Sequence, residues 1–144
     1  MMENAIAWIL IFPLFGSVAC AILGIGKRKI CYPVAVLSMV GALWGGIETL
    51  MQVVASEEYT VSYIFGGWTL DSYPRGVGIE FHADILSILI TLVVLGVGFI
   101  VALYSKLPVM EETPGKESLF YTLFLLQVTG LAGICLTGDA FNLY

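Results

Sequence analysis

The stretch ILSILITLVVLGVGFIVALYS, Ile85 to Ser105, runs for 21 residues without a charged side chain. A bilayer core of roughly 30 Å needs about 20 apolar residues at 1.5 Å of rise each. The run has that length. It does not alternate polar and apolar positions, as the roughly ten-residue strands of a membrane β-barrel do. In lipid the backbone must satisfy its own hydrogen bonds, and a helix does so within one segment. Ile85 to Ser105 is therefore read as a transmembrane helix.

Three other runs have the same character. Asn4 to Gly26 is charge-free for 23 residues, Ile30 to Ile47 for 18, and Ser118 to Gly138 for 21. In the second, Glu48 is a single interruption before the apolar run resumes to Val54. These runs predict an all-α integral membrane fold of four transmembrane helices, about 5–26, 32–54, 84–104 and 118–137. They form one membrane domain over 1–144.

Composition agrees. Hydrophobic residues make up 59% of the 144 and charged residues 12%, against roughly 25% charged in an average soluble domain. Disorder requires the opposite balance. Six Lys+Arg against eleven Asp+Glu give a net charge of −5, the wrong sign for a phosphate-rich partner, so no nucleic acid is expected. The first apolar run is not a signal peptide. Glu3 precedes it, and its cations Lys27, Arg28 and Lys29 follow it.

The cations also set a direction. Lys27, Arg28 and Lys29 lie between helices 1 and 2, and Lys106 and Lys116 between helices 3 and 4; only Arg75 falls on the other side. The positive-inside rule then puts both short connections in the cytoplasm and the N-terminus outside, in a multi-pass protein of the cell membrane. The long segment from Ala55 to Ala83 is outside as well. There Tyr59, Val61, Tyr63 and Phe65 alternate with other residues, Gly66-Gly67 breaks the pattern, and Val77, Ile79 and Phe81 resume it. This predicts a short extracytoplasmic β-hairpin between helices 2 and 3. Tyr59, Tyr63, Trp68 and Tyr73 would suit the interfacial aromatic belt. The segment from Lys106 to Glu117, with Pro108 and Pro114-Gly115, reads as a solvated loop.

Few residues carry chemistry. Glu48 lies about six residues from the outer end of helix 2, and an intramembrane carboxylate is by default a candidate functional group. Gly41 and Gly45 share its face and allow a close protein neighbour; at this depth Glu48 could also snorkel to water. Asp84, with Ser87 three residues on, is either an N-cap or an ionisable group at the rim of an ion path. His82 is an interfacial residue or a proton relay. Cys20, Cys31 and Cys135 share no metal spacing and read as small packing residues. Gly16, Cys20 and Gly24 on helix 1, and Gln127, Thr129, Gly130 and Gly133 on helix 4, read as helix-packing positions. No phosphate loop, nucleophile elbow or zinc motif is present, so no catalytic residue, metal or cofactor is expected in this chain.

Taken in order, several stretches resemble one family. They are Gly66-Gly67-Trp68 followed by Gly78-Ile79-Glu80-Phe81-His82-Ala83-Asp84-Ile85-Leu86-Ser87, then Val101-Ala102-Leu103-Tyr104-Ser105, and then Phe120-Tyr121, Leu123 to Leu126 and Gly130 to Gly133. The chain closes on Thr137-Gly138-Asp139-Ala140-Phe141-Asn142-Leu143-Tyr144. This is similar to the N-terminal part of the antiporter-like subunits shared by respiratory complex I, Mrp-type sodium/proton antiporters and membrane-bound hydrogenases. Within that group it looks closest to the Mrp D-type subunit and its hydrogenase relatives.

The resemblance implies a larger design, of about fourteen helices built around inverted repeats. Its pumping residues are a Glu on the helix after the Gly-Asp-x-Phe-Asn stretch and buried Lys residues beyond. Tyr144 falls at the head of that helix, so those residues are not expected here. Asp139 and Asn142 match motif positions that would fix the turn after helix 4, and Asp84 matches the block at a helix start. Glu48, Asp84 and Asp139 are the ion-path candidates.

Three functions stay open at this point. The chain is a membrane subunit of a multi-subunit complex that couples redox chemistry or antiport to H⁺ or Na⁺ movement. Alternatively it is a structural half-module packed against a larger antiporter-like chain. As a third reading it is a small homodimeric four-helix exporter, for which Glu48 would have to supply the mid-membrane carboxylate. In the first two its partners are other membrane subunits, and in all three the lipid bilayer.

Overall fold

The computed structural model describes residues 5–24, 26, 30–56, 59–64 and 80–138. Among them are four helices long and apolar enough to cross a membrane. These are α1 (Ala5–Leu23), α2 (Cys31–Ala55), α3 (Ile85–Tyr104) and α5 (Glu117–Leu136), with a short α4 (Lys106–Glu112) between the last two. Two strands, β1 (Thr60–Ile64) and β2 (Glu80–Asp84), pair antiparallel between α2 and α3. The expected architecture is the observed one, a multi-pass helical membrane protein with a small hairpin.

The boundaries differ in ways the chemistry explains. The first helix stops at Leu23 rather than running to 26. Gly24 and Gly26 follow it, and their N–H groups close the end on Cys20 O and Leu23 O. Asp84 is not the first residue of α3 but its cap. The larger correction concerns the segment from Lys106 to Glu117, read as a loop. Its first seven residues are helical. Pro108 sits in the first turn, where its missing N–H is not needed. Val109 is buried and anchors the turn. The chain leaves that helix at Pro114-Gly115, and Gly115 takes φ 84°, a conformation open to a residue without Cβ.

In the hairpin, Val61 pairs with Ala83, Ser62 with His82 and Tyr63 with Phe81. The period of two turns Phe81 and Ala83 into the core. Phe81 also bridges to Thr137, just past α5, so the hairpin is tied to two helix ends. Val77 and Ile79, the Gly66-Gly67 turn, Trp68, Tyr73, Arg75, Lys27 to Lys29, Asp139 and the 141–144 segment lie outside the described residues.

The spanning helices close a ring: α1 packs on α2 and α5, α2 on α3, and α3 on α5. In lipid such packing relies on close fit, and small residues let backbones approach. Gly16 lies against Ser38 and Leu125, Gly41 against the Phe12 ring, Gly46 against Leu92, and Gly98 against Met39. The buried hydroxyls hold their own helices. Ser38 Oγ donates to Val34 O at 2.8 Å, Thr49 Oγ1 to Gly45 O at 2.8 Å and Thr91 Oγ1 to Ser87 O at 2.7 Å. The outside is apolar, with Leu37 73% and Ile100 66% exposed, which suits contact with acyl chains and not with water.

Candidate functional site

Glu48 sits seven residues before the end of α2, about 10 Å by helical rise. It lines a recess of about 100 Å³ with Trp8 and Phe12 of α1 and Gly41, Trp44 and Gly45 of its own helix. The glycines create this arrangement. A Cβ at Gly41 would meet the Phe12 ring at 2.7 Å, and one at Gly45 would meet Ile9 N at 3.2 Å and Ala5 O at 3.3 Å. Glu48 is half-buried and therefore has protein on one side. The Trp8 indole N–H is buried, with no hydrogen-bond partner among the described residues. The Trp8 and Phe12 rings lie 5.3 Å apart. Glu48 and Trp8 thus line one small, apolar recess.

Asp84 has the geometry of a helix cap. Its Oδ1 accepts from Ser87 N at 2.7 Å, while its own N–H donates to Ser87 Oγ at 2.9 Å. This reciprocal capping box satisfies two donors at the start of α3. The bonds from the Ser87 side chain and backbone hold the Asp84 carboxyl below the usual aspartate range, so it stays ionised at neutral pH. His82 Nδ1 lies 2.8 Å from Ser62 Oγ across the hairpin. Glu48, His82 and Asp84 therefore gather toward the hairpin end of the bundle, while Asp139 lies outside the described residues.

A second polar cluster occupies the opposite end, where residues far apart in the chain meet. Tyr32 at the start of α2 donates to Leu103 O at 3.4 Å, and Lys106 Nζ lies 5.4 Å from the Tyr32 ring centroid. Ser105 Oγ donates to Ala102 O at 2.8 Å and lies 3.3 Å from Tyr121 Oη. Tyr32, Lys106, Glu117 and Tyr121 line a cavity of about 510 Å³ with Pro33, Val109 and Met110. Beside it the thiols of Cys20 and Cys31 each reach the other's carbonyl oxygen, at 3.5 and 3.6 Å. Both are fully buried, which fits the packing role read for them. The Tyr and Lys at helix ends were visible in the sequence, but nothing in their spacing joins residue 32 to 106 and 121.

Among the described residues, Glu48 is the one acidic or basic side chain within the interior of a spanning helix. On α5, Thr129 Oγ1 donates to Leu125 O at 2.8 Å, and Gln127 is exposed on the outer face.

No family model matches the chain. It is 31% identical over 136 residues to NADH-quinone oxidoreductase subunit N of Desulforudis audaxviator (strain MP104C), a match covering 94% of this chain and 26% of that protein. The structure of the membrane-bound sulfane sulfur reductase, an archaeal respiratory membrane complex, contains a chain with 26% identity and a TM-score of 0.78. The chain is homologous to the N-terminal part of an antiporter-like membrane subunit. That match covers 99% of this chain and 27% of the other, so the chain spans about a quarter of the length of either relative. Both homologues are subunits of multi-subunit membrane complexes.

Proposed function

We propose that this chain is a membrane module of a multi-subunit complex that couples redox chemistry on partner subunits, or antiport, to H⁺ or Na⁺ movement. The observation that carries this reading is the homology over nearly the whole chain to respiratory-complex subunits at both the sequence and structural level. The geometry favours a second, narrower role within it, as a module that does not conduct by itself. Ion movement needs a succession of titratable or hydrated groups across the membrane. A single acid about 10 Å from one end does not span roughly 30 Å. The module carries no cofactor, and electron transfer belongs to its partners.

The test uses two preparations. Purified from its native membrane in mild detergent, the chain should co-purify with redox or antiporter-like subunits, and that complex should drive ion flux in liposomes. The chain alone should give no more flux than empty liposomes under an imposed pH or Na⁺ gradient. Sustained flux from the chain alone would overturn this reading in favour of a small homodimeric exporter.

Orientation follows from charge. Lys106 and Lys116 lie at the end opposite the hairpin, on the side to which the sequence also assigns Lys27, Arg28 and Lys29. The hairpin end and the N-terminus are then extracytoplasmic. In a chain with its cysteines replaced by alanine, Tyr59→Cys should react with a membrane-impermeant thiol reagent added outside intact cells, and Glu112→Cys should not. The reverse pattern would invert the topology.

A further inference from the structure

The cavity at the end of the bundle opposite the hairpin has walls of two kinds. Tyr32 is the second residue of α2, Lys106 the first of α4 and Glu117 the first of α5, and all three line it. These polar groups stand at helix ends, where hydrocarbon gives way to headgroups. Tyr121 also lines the cavity, one turn inside α5 and about 6 Å deeper by rise. Pro33, Val109 and Met110 complete the wall with apolar surface. At about 510 Å³ the cavity has the size of a small-molecule site. A molecule that fits this space is charged at one end and apolar at the other.

The charges narrow the choice. Lys106 is exposed, and its ammonium lies 5.4 Å from the centre of the Tyr32 ring, whose face holds it at the cavity wall. The nearby hydroxyls are already used: Tyr32 Oη donates to Leu103 O and Ser105 Oγ to Ala102 O. An anionic oxygen entering the cavity finds its cation in Lys106. Glu117 Oε1 accepts from Gly115 N at 3.2 Å. A carboxylate has about four acceptor positions, so Glu117 can share a further donor. A headgroup of net negative charge would be repelled by that carboxylate. A phosphate joined to a primary ammonium suits both walls, because the ammonium brings three N–H donors and a trimethylammonium brings none. The other recesses lack this pairing. The groove that shares Val109 with the cavity, about 360 Å³, has Glu112 and no cation in its described wall. The Glu48 recess has no cation either.

We infer that this cavity holds the headgroup of a phosphatidylethanolamine, with its phosphate on Lys106 and its ammonium on Glu117. The acyl chains continue over the exposed Met110 onto the apolar outside of the bundle. The occupant is a membrane lipid and not free phosphoethanolamine, because the apolar part of the wall offers nothing to a water-soluble ion. The inference does not depend on the proposed coupling role.

The test uses the complex isolated from its own membrane and placed in phosphatidylcholine vesicles. A trace of phosphatidylethanolamine carries a photoreactive group on the acyl carbons nearest the glycerol, and labelled peptides are read by mass spectrometry. Label should concentrate on the peptide holding Val109 and Met110. Unlabelled phosphatidylethanolamine should displace it, whereas phosphatidylglycerol and soluble phosphoethanolamine should not. Lys106→Gln should cut this labelling by about fivefold, the contribution of one lysine at a lipid surface, and Lys106→Arg should restore it. Glu117→Gln should let phosphatidylglycerol displace the probe. Val93, exposed on α3, is the control for lipid that merely surrounds the protein, and its labelling should not change. Lys106 is exposed, so its variants keep the fold and decide the matter even if Glu117→Gln does not assemble. Equal labelling at Met110 and Val93, no label at Met110, displacement by soluble phosphoethanolamine, or unchanged labelling in Lys106→Gln overturns the inference. Displacement by phosphatidylglycerol from the parent chain overturns it as well.

Discussion

Gly16→Val is expected to break the four-helix core. A Cβ at Gly16 would overlap Ser38 Oγ, come to 2.8 Å from Ser38 Cβ and lie 3.2 Å from Leu125 Cδ1. These atoms belong to α2 and α5, so one added branch pushes α1 away from both of its neighbours. Ser38 cannot turn aside freely, because its hydroxyl is bonded to Val34 O. Leu125 is itself fully buried. Overpacking typically costs about 1–3 kcal/mol, and a helix forced off two partners falls at or above the upper end. Gly16→Ala should already lower the melting temperature in detergent, and Gly16→Val should abolish the monodisperse peak. Gly96→Ala is the control, since a Cβ there meets nothing within 4 Å and alanine is the better helix former. Equal melting of the Gly16→Ala and Gly96→Ala variants would show that α1, α2 and α5 do not cross as described.

Glu48→Leu is expected to separate stability from function. A charge costs roughly 2.5–3.5 kcal/mol at the bilayer centre by insertion scales and less toward the rim. At about 10 Å from the helix end, relief of that cost offsets the interaction that Glu48 holds within the structure, so melting should stay within about 1 kcal/mol of the parent. The recess is lined by Trp8, Phe12, Trp44 and two glycines, and leucine suits such a lining. The whole complex should nevertheless lose at least about tenfold in ion-coupled activity, equivalent to about 1.4 kcal/mol, if Glu48 takes part in the ion path. Glu48→Gln should behave the same way in activity and stay near the parent in melting. The measurement is paired, melting of the purified chain beside proton or Na⁺ flux of the reconstituted complex. Lower stability with unchanged flux would make Glu48 a packing residue and remove it from the ion path.

The Glu48 recess and the Gly16 crossing show where legibility in the sequence ends. Span number, span length and the Asp84 cap were readable, because each depends on neighbours along the chain. A run of about 20 apolar residues must become a helix in lipid whatever surrounds it. Asp84 and Ser87 cap α3 from three residues apart. The hairpin was readable from its alternation, which the buried Phe81 and Ala83 express. The helical turn at Lys106–Glu112 was not, since its single buried anchor, Val109, is outvoted locally by Pro108, Pro114 and mixed charges.

Which face of each helix meets which neighbour was decided only in three dimensions. In a soluble protein the polar side of a helix marks the solvent and reveals the core face. Here both sides are apolar, since the same side chains suit lipid and protein, so that contrast is absent. Fit takes its place. Gly16 meets Ser38 and Leu125, Gly41 meets Phe12, and Cys20 meets Cys31, each pair set by how the helices cross. The sequence by itself determined that this chain crosses the membrane four times and carries one acid within it. Only the tertiary structure decided that the acid shares a recess with Trp8, and that Gln127 looks outward.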